Sequence, residues 1–162
     1  LCAAAAERCA QLGYAPRILT DSLDAEARVA GRELAELALN QTDRPCALIE
    51  GGETIVHLTG HGKGGRNQEF ALAAADVIRG REDIIVFSAG SDGTDGPTDA
   101  AGGICDGETA AKLDAAGYPV HRALEENNAY HALGLADGLL ITGPTGTNVN
   151  DVAVALCAKA AK

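Results

Sequence analysis

Large aromatic and sulfur-containing side chains are scarce in this sequence. The chain of 162 residues has no Trp and no Met, and aromatic residues make up only 3% of it, although 46% of its residues are hydrophobic. That length and apolar content suffice for one domain with its own core. We therefore expect a core of Ala, Leu, Val and Ile, which suits helices packed closely against a sheet.

Membrane-length segments and an excess of basic residues are also lacking. No apolar run approaches the length of a transmembrane helix, and no signal peptide precedes the first residue. The formal net charge of −10 argues against nucleic acid or an anionic membrane surface as the main partner. A small anionic ligand is not excluded, because it responds to the local field of its pocket. The chain starts at Leu1 in a helical pattern, without an initiator Met, so we expect a piece of a longer protein.

Metal-binding spacings are missing as well. None of the five cysteines forms a C-x-x-C pair, so neither a zinc site nor a disulfide framework is indicated. The histidines show no metal-ligand spacing. Unpaired cysteines of this kind predict a reducing, cytoplasmic location.

Hydrophobic periodicity predicts alternating helices and strands. The continuous apolar run at 84–87 is typical of a strand that is covered on both faces. Strands at 46–49 and 54–58 have only a short Gly-Gly connection between them, which predicts a hairpin. Since a hairpin requires an antiparallel pair, the predicted fold is α/β with a mixed sheet and helices on its faces. Further strands are predicted at 17–20, 138–142 and 152–156, and helices at 2–12, 23–37, 70–77, 106–117 and 128–133.

The segment 60–69 is rich in glycine and opens directly into a predicted helix. Its glycines would let a ligand approach the backbone, and the helix would present unpaired N–H groups at the same point. Lys63 and Arg66 add cations, which are disfavoured at a helix N-terminus unless an anion binds there. The alternative is an ordinary turn in which Arg66 pairs with Glu69 along the helix.

Three loops rich in Gly, Thr, Asp and Asn each follow a predicted strand, at 60–69, 88–99 and 142–151. Ligands of open α/β sheets collect where such loops converge, although the same residues also favour simple turns. Residues 60–65 match the dinucleotide pattern G-x-G-x-x-G. The preceding strand belongs to the predicted hairpin, and the acidic residues Glu82 and Asp83 precede the next strand, so a dinucleotide site is not indicated.

Four motifs, at 51–54, 62–69, 90–103 and 142–151, resemble the MOFRL domain, the C-terminal part of glycerate 2-kinases whose relatives are often labelled hydroxypyruvate reductases. The resemblance covers about residues 46–157. It implies that residues 46–162 form one α/β domain of a two-domain kinase. Residues 1–45 would be a helix–strand–helix segment that joins it to a missing N-terminal domain.

The resemblance implies phosphorylation of D-glycerate to 2-phosphoglycerate by ATP with Mg²⁺, in a cleft between two domains. The family's catalytic lysine belongs to the missing domain, so we expect the isolated chain to be inactive. Arg66 would be the catalytic arginine. Asp92 and Asp95 are candidates for binding Mg²⁺ or a substrate hydroxyl, or else form a solvated acidic turn. Candidates for holding substrate or phosphate oxygens are Gly62, Lys63, Gly64, Gly65, Asn67, Glu69, Thr145, Thr147 and Asn148.

Two other functions remain open. A hydroxypyruvate reductase would need a nicotinamide site, which the sequence does not support. A non-catalytic module could bind a phosphorylated metabolite through residues 62–66. The sequence also leaves open whether the protein is a monomer or a homodimer.

Overall fold

The computed structural model describes residues 1–159, which form a mixed α/β fold. The helices are α1 (Cys2–Gln11), α2 (Ala27–Leu39), α3 (Arg66–Val77), α4 (Thr109–Ala115), α5 (Val120–Glu125) and α6 (Ala129–Leu135). The strands are β1 (Ala15–Leu23), β2 (Cys46–Gly52), β3 (Ile84–Gly90), β4 (Gly102–Asp106), β5 (Leu139–Leu140) and β6 (Asp151–Cys157).

The strands form a single six-stranded sheet in the order β1-β2-β6-β3-β4-β5. β1 and β2 run parallel, whereas β6 is antiparallel to both of its neighbours, β2 and β3. The predicted mixed sheet is therefore confirmed. Its central antiparallel strand comes from the end of the chain, since β6 inserts between β2 and β3.

Helices cover the two faces of the sheet unequally. α2 and α3 pack on one face together with α4, α5 and α6, while α1 packs on the other face against β2 and β6. α3 lies in the centre, and its residues from Phe70 to Ala75 are all completely buried. A Cβ atom at Gly31 of α2 would lie 2.1 Å from the Phe70 carbonyl oxygen, so the two helix backbones touch there. Small side chains allow this close packing, and the expected core of Ala, Leu, Val and Ile is confirmed.

The predicted hairpin is wrong. Residues 54–58 form no strand, and only an isolated bridge joins Ile55 to Glu26. β2 already has β1 and β6 as its neighbours, so no free edge remains for a returning strand. Gly51 and Gly52, read as a turn, instead lie within β2. Added Cβ atoms there would come within 2.3 Å of Cys2 and Leu23 respectively, so close packing explains both glycines.

Three further expectations need correction. β3 is not covered equally on both faces, because Ile85 is 39% exposed in a region that α1 does not reach. β4 is missing from the predicted strands, because Gly102 and Gly103 carry no strand signal. Gly102 permits the backbone of β4 to approach the Ser88 carbonyl oxygen, where a Cβ atom would lie at 1.9 Å. The short helix α5 was also missed.

The segment 1–45 continues the same fold. β1 is an edge strand of the sheet, and α2 packs directly on α3. Strands from both sides of residue 45 belong to the same sheet. A domain boundary at this residue therefore stays a prediction. None of the helices within residues 1–159 is both long and apolar enough to cross a bilayer.

Candidate active site

A cleft of about 560 Å³ opens beside the start of α3. Its walls are the irregular segment 53–58, the glycine-rich turn and residues 95–97. β2 and β3 end at this edge of the sheet, and β6 begins there, because Asp151 is paired with both Gly52 and Gly90. Ligand sites commonly occupy such an edge. Of the residues singled out from the sequence, those that line the cleft are Gly62, Gly64, Gly65, Arg66, Glu69 and Asp95.

Asp95 caps the N-terminus of α3. Its carboxylate accepts the backbone N–H groups of Asn67 at 3.1 Å and Gln68 at 2.9 Å, together with both of their side-chain amides. The residue is only 3% exposed, and burial raises its pKa, against the hydrogen bonds that lower it. A Cβ atom at Gly65 would lie 2.3 Å from this carboxyl group, so glycine is required there. The expectation of unpaired N–H groups is therefore wrong for Asn67 and Gln68.

Arg66, the first residue of α3, is held by two carboxylates. Its Nε and Nη2 donate to Asp151 at 2.6 and 3.2 Å, and its Nη1 lies 2.8 Å from Glu53. The hydrogen bond to Asp151 is the main cause that raises the Arg66 pKa, so the group stays cationic. The side chain is 35% exposed and faces the cleft. The alternative pairing with Glu69 is not found.

Glu69 and Asn67 are buried within the protein. Glu69 is 2% exposed and forms an ion pair with Arg28 at 2.8 Å. Asn67 is 1% exposed, and its Oδ1 accepts the Ser88 hydroxyl at 2.6 Å. Both side chains join α3 to its surroundings, and their predicted role in holding substrate oxygens has no support from these contacts.

The glycine-rich turn packs against the connection between α5 and α6. The Gly62 amide donates to the Glu126 carbonyl at 2.8 Å, and the Lys63 amide donates to Asn128 Oδ1 at 3.0 Å. A Cβ atom at Gly62 would lie 2.3 Å from the Asn128 side chain. The close approach of the turn to Asn128 therefore explains the glycine at position 62, in addition to any access that it gives a ligand.

Two features of the turn remain available to a ligand. The Gly64 and Gly65 amides have no protein acceptor among the residues that the structure describes. The Lys63 ammonium lies 4.4 Å from the centre of the Tyr130 ring, beside the carboxylate of Asp99 that Tyr130 contacts. Gly64, Gly65 and Arg66 line one cleft, which can provide donors for an anionic group, whereas Lys63 does not line it.

The loops at 91–95 and 142–150 bind each other. Thr145 donates its amide to the Asp92 carbonyl at 3.1 Å and its hydroxyl to the Ser91 carbonyl at 2.5 Å. Thr147 and Asn148 are exposed, and neither they nor Thr145 line the cleft. Their role in binding substrate or phosphate stays a prediction.

The two metal candidates differ. Asp92 Oδ1 accepts the Thr94 amide at 2.9 Å, as in an Asx turn. Asp95 directs both carboxylate oxygens to donors of α3, so it does not fit a Mg²⁺ ligand. Residues 1–159 contain no group of three or more His, Cys, Asp or Glu side chains arranged to hold a metal.

The G-x-G-x-x-G match does not form a dinucleotide site. That site places its glycines directly between a strand and a helix. Here residues 53–65 separate β2 from α3 without a strand. The rejection made from the sequence stands. One of its two reasons, the hairpin, was wrong, whereas Glu82 and Asp83 do precede β3.

Three residues of the site were not found from the sequence. Asp151 and Glu53 orient Arg66, and Asn127 contacts both the turn and Glu69. Glu53 and Asp151 lie within the motifs at 51–54 and 142–151, and each adjoins an apolar run. Asn127 carried no signal, because its contacts lie 58 to 70 positions away along the chain.

Relatives of this chain are named as kinases of glycerate. It is 55% identical over 150 residues to the D-glycerate 2-kinase of Thermotoga maritima, covering 89% of this chain and 36% of the relative. It is 46% identical over 162 residues to the glycerate 2-kinase of Pyrococcus horikoshii, covering 96% and 37%. An Agrobacterium vitis protein named provisionally as a hydroxypyruvate reductase is 37% identical over 157 residues, covering 92% and 36%. The chain thus spans little more than a third of the length of these relatives.

The solved structures agree with the sequence comparisons. The crystal structure of the Thermotoga maritima glycerate kinase (EC 2.7.1.31) superposes with a TM-score of 0.94 at 51% identity. The match covers 96% of this chain and 39% of that one. The model of the MOFRL family matches residues 46–151. The chain therefore belongs to the MOFRL family.

Proposed function

We propose that this chain is one domain of an ATP-dependent glycerate 2-kinase that converts D-glycerate to 2-phosphoglycerate. The observation that carries the proposal is Arg66, a cation held at the edge of a cleft next to unpaired backbone amides. Phosphoryl transfer depends mainly on positioning and on stabilisation of negative charge. The identity of 55% to a D-glycerate 2-kinase supports the choice of substrate.

Arg66 is the proposed catalytic residue. Its partner Glu53 is 60% exposed, whereas the Asp151 side chain is 10% exposed. A phosphate or carboxylate oxygen can therefore replace Glu53 at the Nη1 atom, while Asp151 continues to orient the guanidinium. Arg66 would then stabilise the charge that develops as the bond from the substrate oxygen to phosphorus forms and the bond to ADP breaks.

The turn supplies further donors in this proposal. The Gly64 and Gly65 amides, with Lys63 next to them, would hold oxygens of ATP or glycerate. Gly62 lines the same cleft, although its amide is bonded to Glu126. Thr145, Thr147 and Asn148 would contact the nucleotide from the neighbouring loop only if that part of the ligand extends beyond the cleft.

Mg²⁺ accompanies ATP in the proposed reaction, because it shields the phosphate charges. Asp92 is the remaining candidate ligand within this chain, since Asp95 is committed to α3. In the full-length protein, Asp92→Asn should raise the Mg²⁺ concentration needed for half-maximal activity. An unchanged Mg²⁺ dependence would leave Asp92 with its structural turn alone.

The proposal is tested with the full-length protein that contains this chain. Incubation with ATP and D-glycerate should yield ADP and 2-phosphoglycerate, which phosphorus NMR distinguishes from 3-phosphoglycerate. The 162-residue chain alone should form no product, because the proposed second domain supplies the other wall of the cleft. Its five cysteines are all free and buried, in keeping with our proposal of a cytoplasmic enzyme.

The alternatives predict other outcomes in the same experiment. Hydride transfer from NADH or NADPH to hydroxypyruvate would identify a reductase, the function suggested by the name of the Agrobacterium vitis relative. Binding of a phosphorylated metabolite without turnover would identify a binding module. Sedimentation of the full-length protein would distinguish a monomer from a homodimer.

A further inference from the structure

Asn127, between α5 and α6, has an unusual backbone conformation for its degree of burial. Its φ angle is +49°, and the residue is only 4% exposed. Residues other than glycine are disfavoured in this left-handed region, although asparagine adopts it more readily than most. Glycine would satisfy the backbone without strain, so the asparagine side chain needs a reason of its own.

That reason lies in its contacts with the segment before the glycine-rich turn. Asn127 Oδ1 accepts the Thr59 amide at 2.7 Å and the Gly60 amide at 2.8 Å. Its Nδ2 donates to the His57 carbonyl at 3.1 Å. One amide side chain thus holds the backbone of residues 57–60, which leads into the turn.

The same side chain also reaches α3. Asn127 Nδ2 donates to Glu69 Oε2 at 3.1 Å, and Arg28 Nε donates to the other oxygen of Glu69 at 2.8 Å. Arg28 in turn donates to the Leu124 carbonyl at the end of α5, at 3.2 Å. Since Glu69 lies one helical turn after Arg66, Asn127 connects the turn to the helix that carries the guanidinium.

We infer that Asn127 is a positioning residue, which sets the distance between the backbone amides of the glycine-rich turn and the Arg66 guanidinium. This inference rests on the proposed function, because it assigns both groups to one ligand. The contacts at Glu126 and Asn128 hold the turn farther along, at Gly62 and Lys63. Loss of the Asn127 side chain should therefore displace the turn without releasing it.

The variant Asn127→Gly tests this in the full-length protein, because glycine keeps the backbone conformation and removes only the side chain. Asp137→Gly is a matched control, since Asp137 is exposed, has a φ of +57° and lies outside the cleft. We expect Asn127→Gly to lower kcat by about 10²-fold, as small displacements of reacting groups do. The KM for glycerate should change much less. Asp137→Gly should retain the wild-type kcat.

A second variant pair separates positioning from a general structural role. Asn127→Asp alone places a carboxylate against Glu69 and should also lower kcat. The double variant Glu69→Gln/Asn127→Asp exchanges donor and acceptor across this contact, and it retains an acceptor for Thr59 and Gly60. We expect it to recover part of the kcat lost in Asn127→Asp, because the His57 carbonyl still has no donor in the double variant. A double variant no more active than Asn127→Asp would overturn the assigned contact.

Hydrogen exchange tests the inference independently of activity. In Asn127→Gly, the amides of Thr59 and Gly60 should exchange faster, while those in the middle of α3 should keep their protection. If wild-type protein does not phosphorylate glycerate, the proposed function fails, yet this exchange result still decides whether Asn127 holds the turn. If Thr59 and Gly60 keep their wild-type protection in Asn127→Gly, the inference is overturned. It is also overturned if Asp137→Gly loses as much kcat as Asn127→Gly, or if Asn127→Gly loses activity only because the protein unfolds.

Discussion

The segments around the start of α3 and the loop 142–150 have similar compositions but differ in the burial of their polar side chains. Around the start of α3, Asp95 is buried and bonds to four donors of Asn67 and Gln68. In the loop 142–150, the side chains of Thr147 and Asn148 are exposed, and the loop is hydrogen-bonded both within itself and to Ser91 and Asp92. Both regions are rich in Gly, Thr, Asp and Asn.

The comparison shows that loop composition does not reveal which groups bind a ligand. Cations at the start of α3 indicated an external anion, but the protein supplies carboxylates of its own at Asp95, Asp151 and Glu53. Donors that remain available after these contacts are the better candidates for binding. Substitutions in the two regions should therefore differ in their effects on turnover and stability.

The largest effect is expected at Arg66. In the full-length protein, Arg66→Ala should lower turnover by about 10²–10³-fold, as the loss of one preorganised charge-stabilising group does. Arg66→Lys should also impair turnover, because lysine lacks the planar fork that binds Asp151 and a ligand together. Steady-state kinetics measure both effects. Arg79→Ala is the matched control, since Arg79 forms only exposed ion pairs near the other end of α3.

Arg66→Ala should also cost stability. The change leaves the Asp151 side chain, which is 10% exposed, without its partner. An unpaired buried polar group costs about 1–3 kcal/mol, which exceeds the small shift expected for a surface residue. Urea unfolding of Arg66→Ala and Arg66→Ala/Asp151→Ala should show that the second change restores part of the loss. Turnover that is restored together with stability would indicate that Arg66 is purely structural.

Asp95 and Asp92 should differ sharply in stability. Asp95→Ala removes the cap of α3 and leaves buried donors of Asn67 and Gln68 without an acceptor. We expect a loss of about 2–4 kcal/mol from these combined effects. Asp92→Ala, in the same loop, should cost about 0.5–1 kcal/mol, because its side chain accepts one exposed turn amide. Chemical denaturation of the two variants measures this difference. Equal losses would remove the contrast between the two aspartates.

Glu50, on the side of the sheet that faces α3, should make stability depend on pH. Burial, with a smaller contribution from Glu33, raises its pKa from 4.5 to about 7. The folded state therefore binds a proton that the unfolded state releases between these values, so stability should fall as pH rises through this range. Allowing for partial exposure, the loss is about 1–2 kcal/mol. The stability of Glu50→Gln, measured by melting between pH 5 and 8, should not show this fall with pH. If its stability depends on pH as steeply as that of the wild type, Glu50 is not the group responsible.

The smallest effects on stability are expected in the loop 142–150. Thr147→Ala and Asn148→Ala should change the free energy of unfolding by less than about 0.5 kcal/mol, since both side chains are exposed. If this loop contacts the nucleotide, the same variants should raise the KM for ATP in the full-length protein. Ligand-dependent melting shifts provide a second measurement. Unchanged values in both assays would identify the loop as a turn with no part in nucleotide binding.

Local patterns predicted much of the fold. Ala-rich periodicity predicted α1, α2 and α3, and Gly13, with a φ of +88° that glycine favours, follows α1. The apolar runs predicted β3 and β6. The alternating run at 54–58 gave a false strand, because alternation shows which side chains suit a sheet and not whether an edge is free.

The motifs and the glycine-rich segment, by themselves, determined the family and directed attention to Arg66. Only the tertiary structure decided what each polar group does. Asp95 reaches α3 from 27 or 28 positions away, and Asp151 reaches Arg66 from 85 positions away. Hydrophobic periodicity repeats every two to four residues and carries no information about such pairs. They form because β6 inserts between β2 and β3 and brings the ends of distant segments to one edge of the sheet.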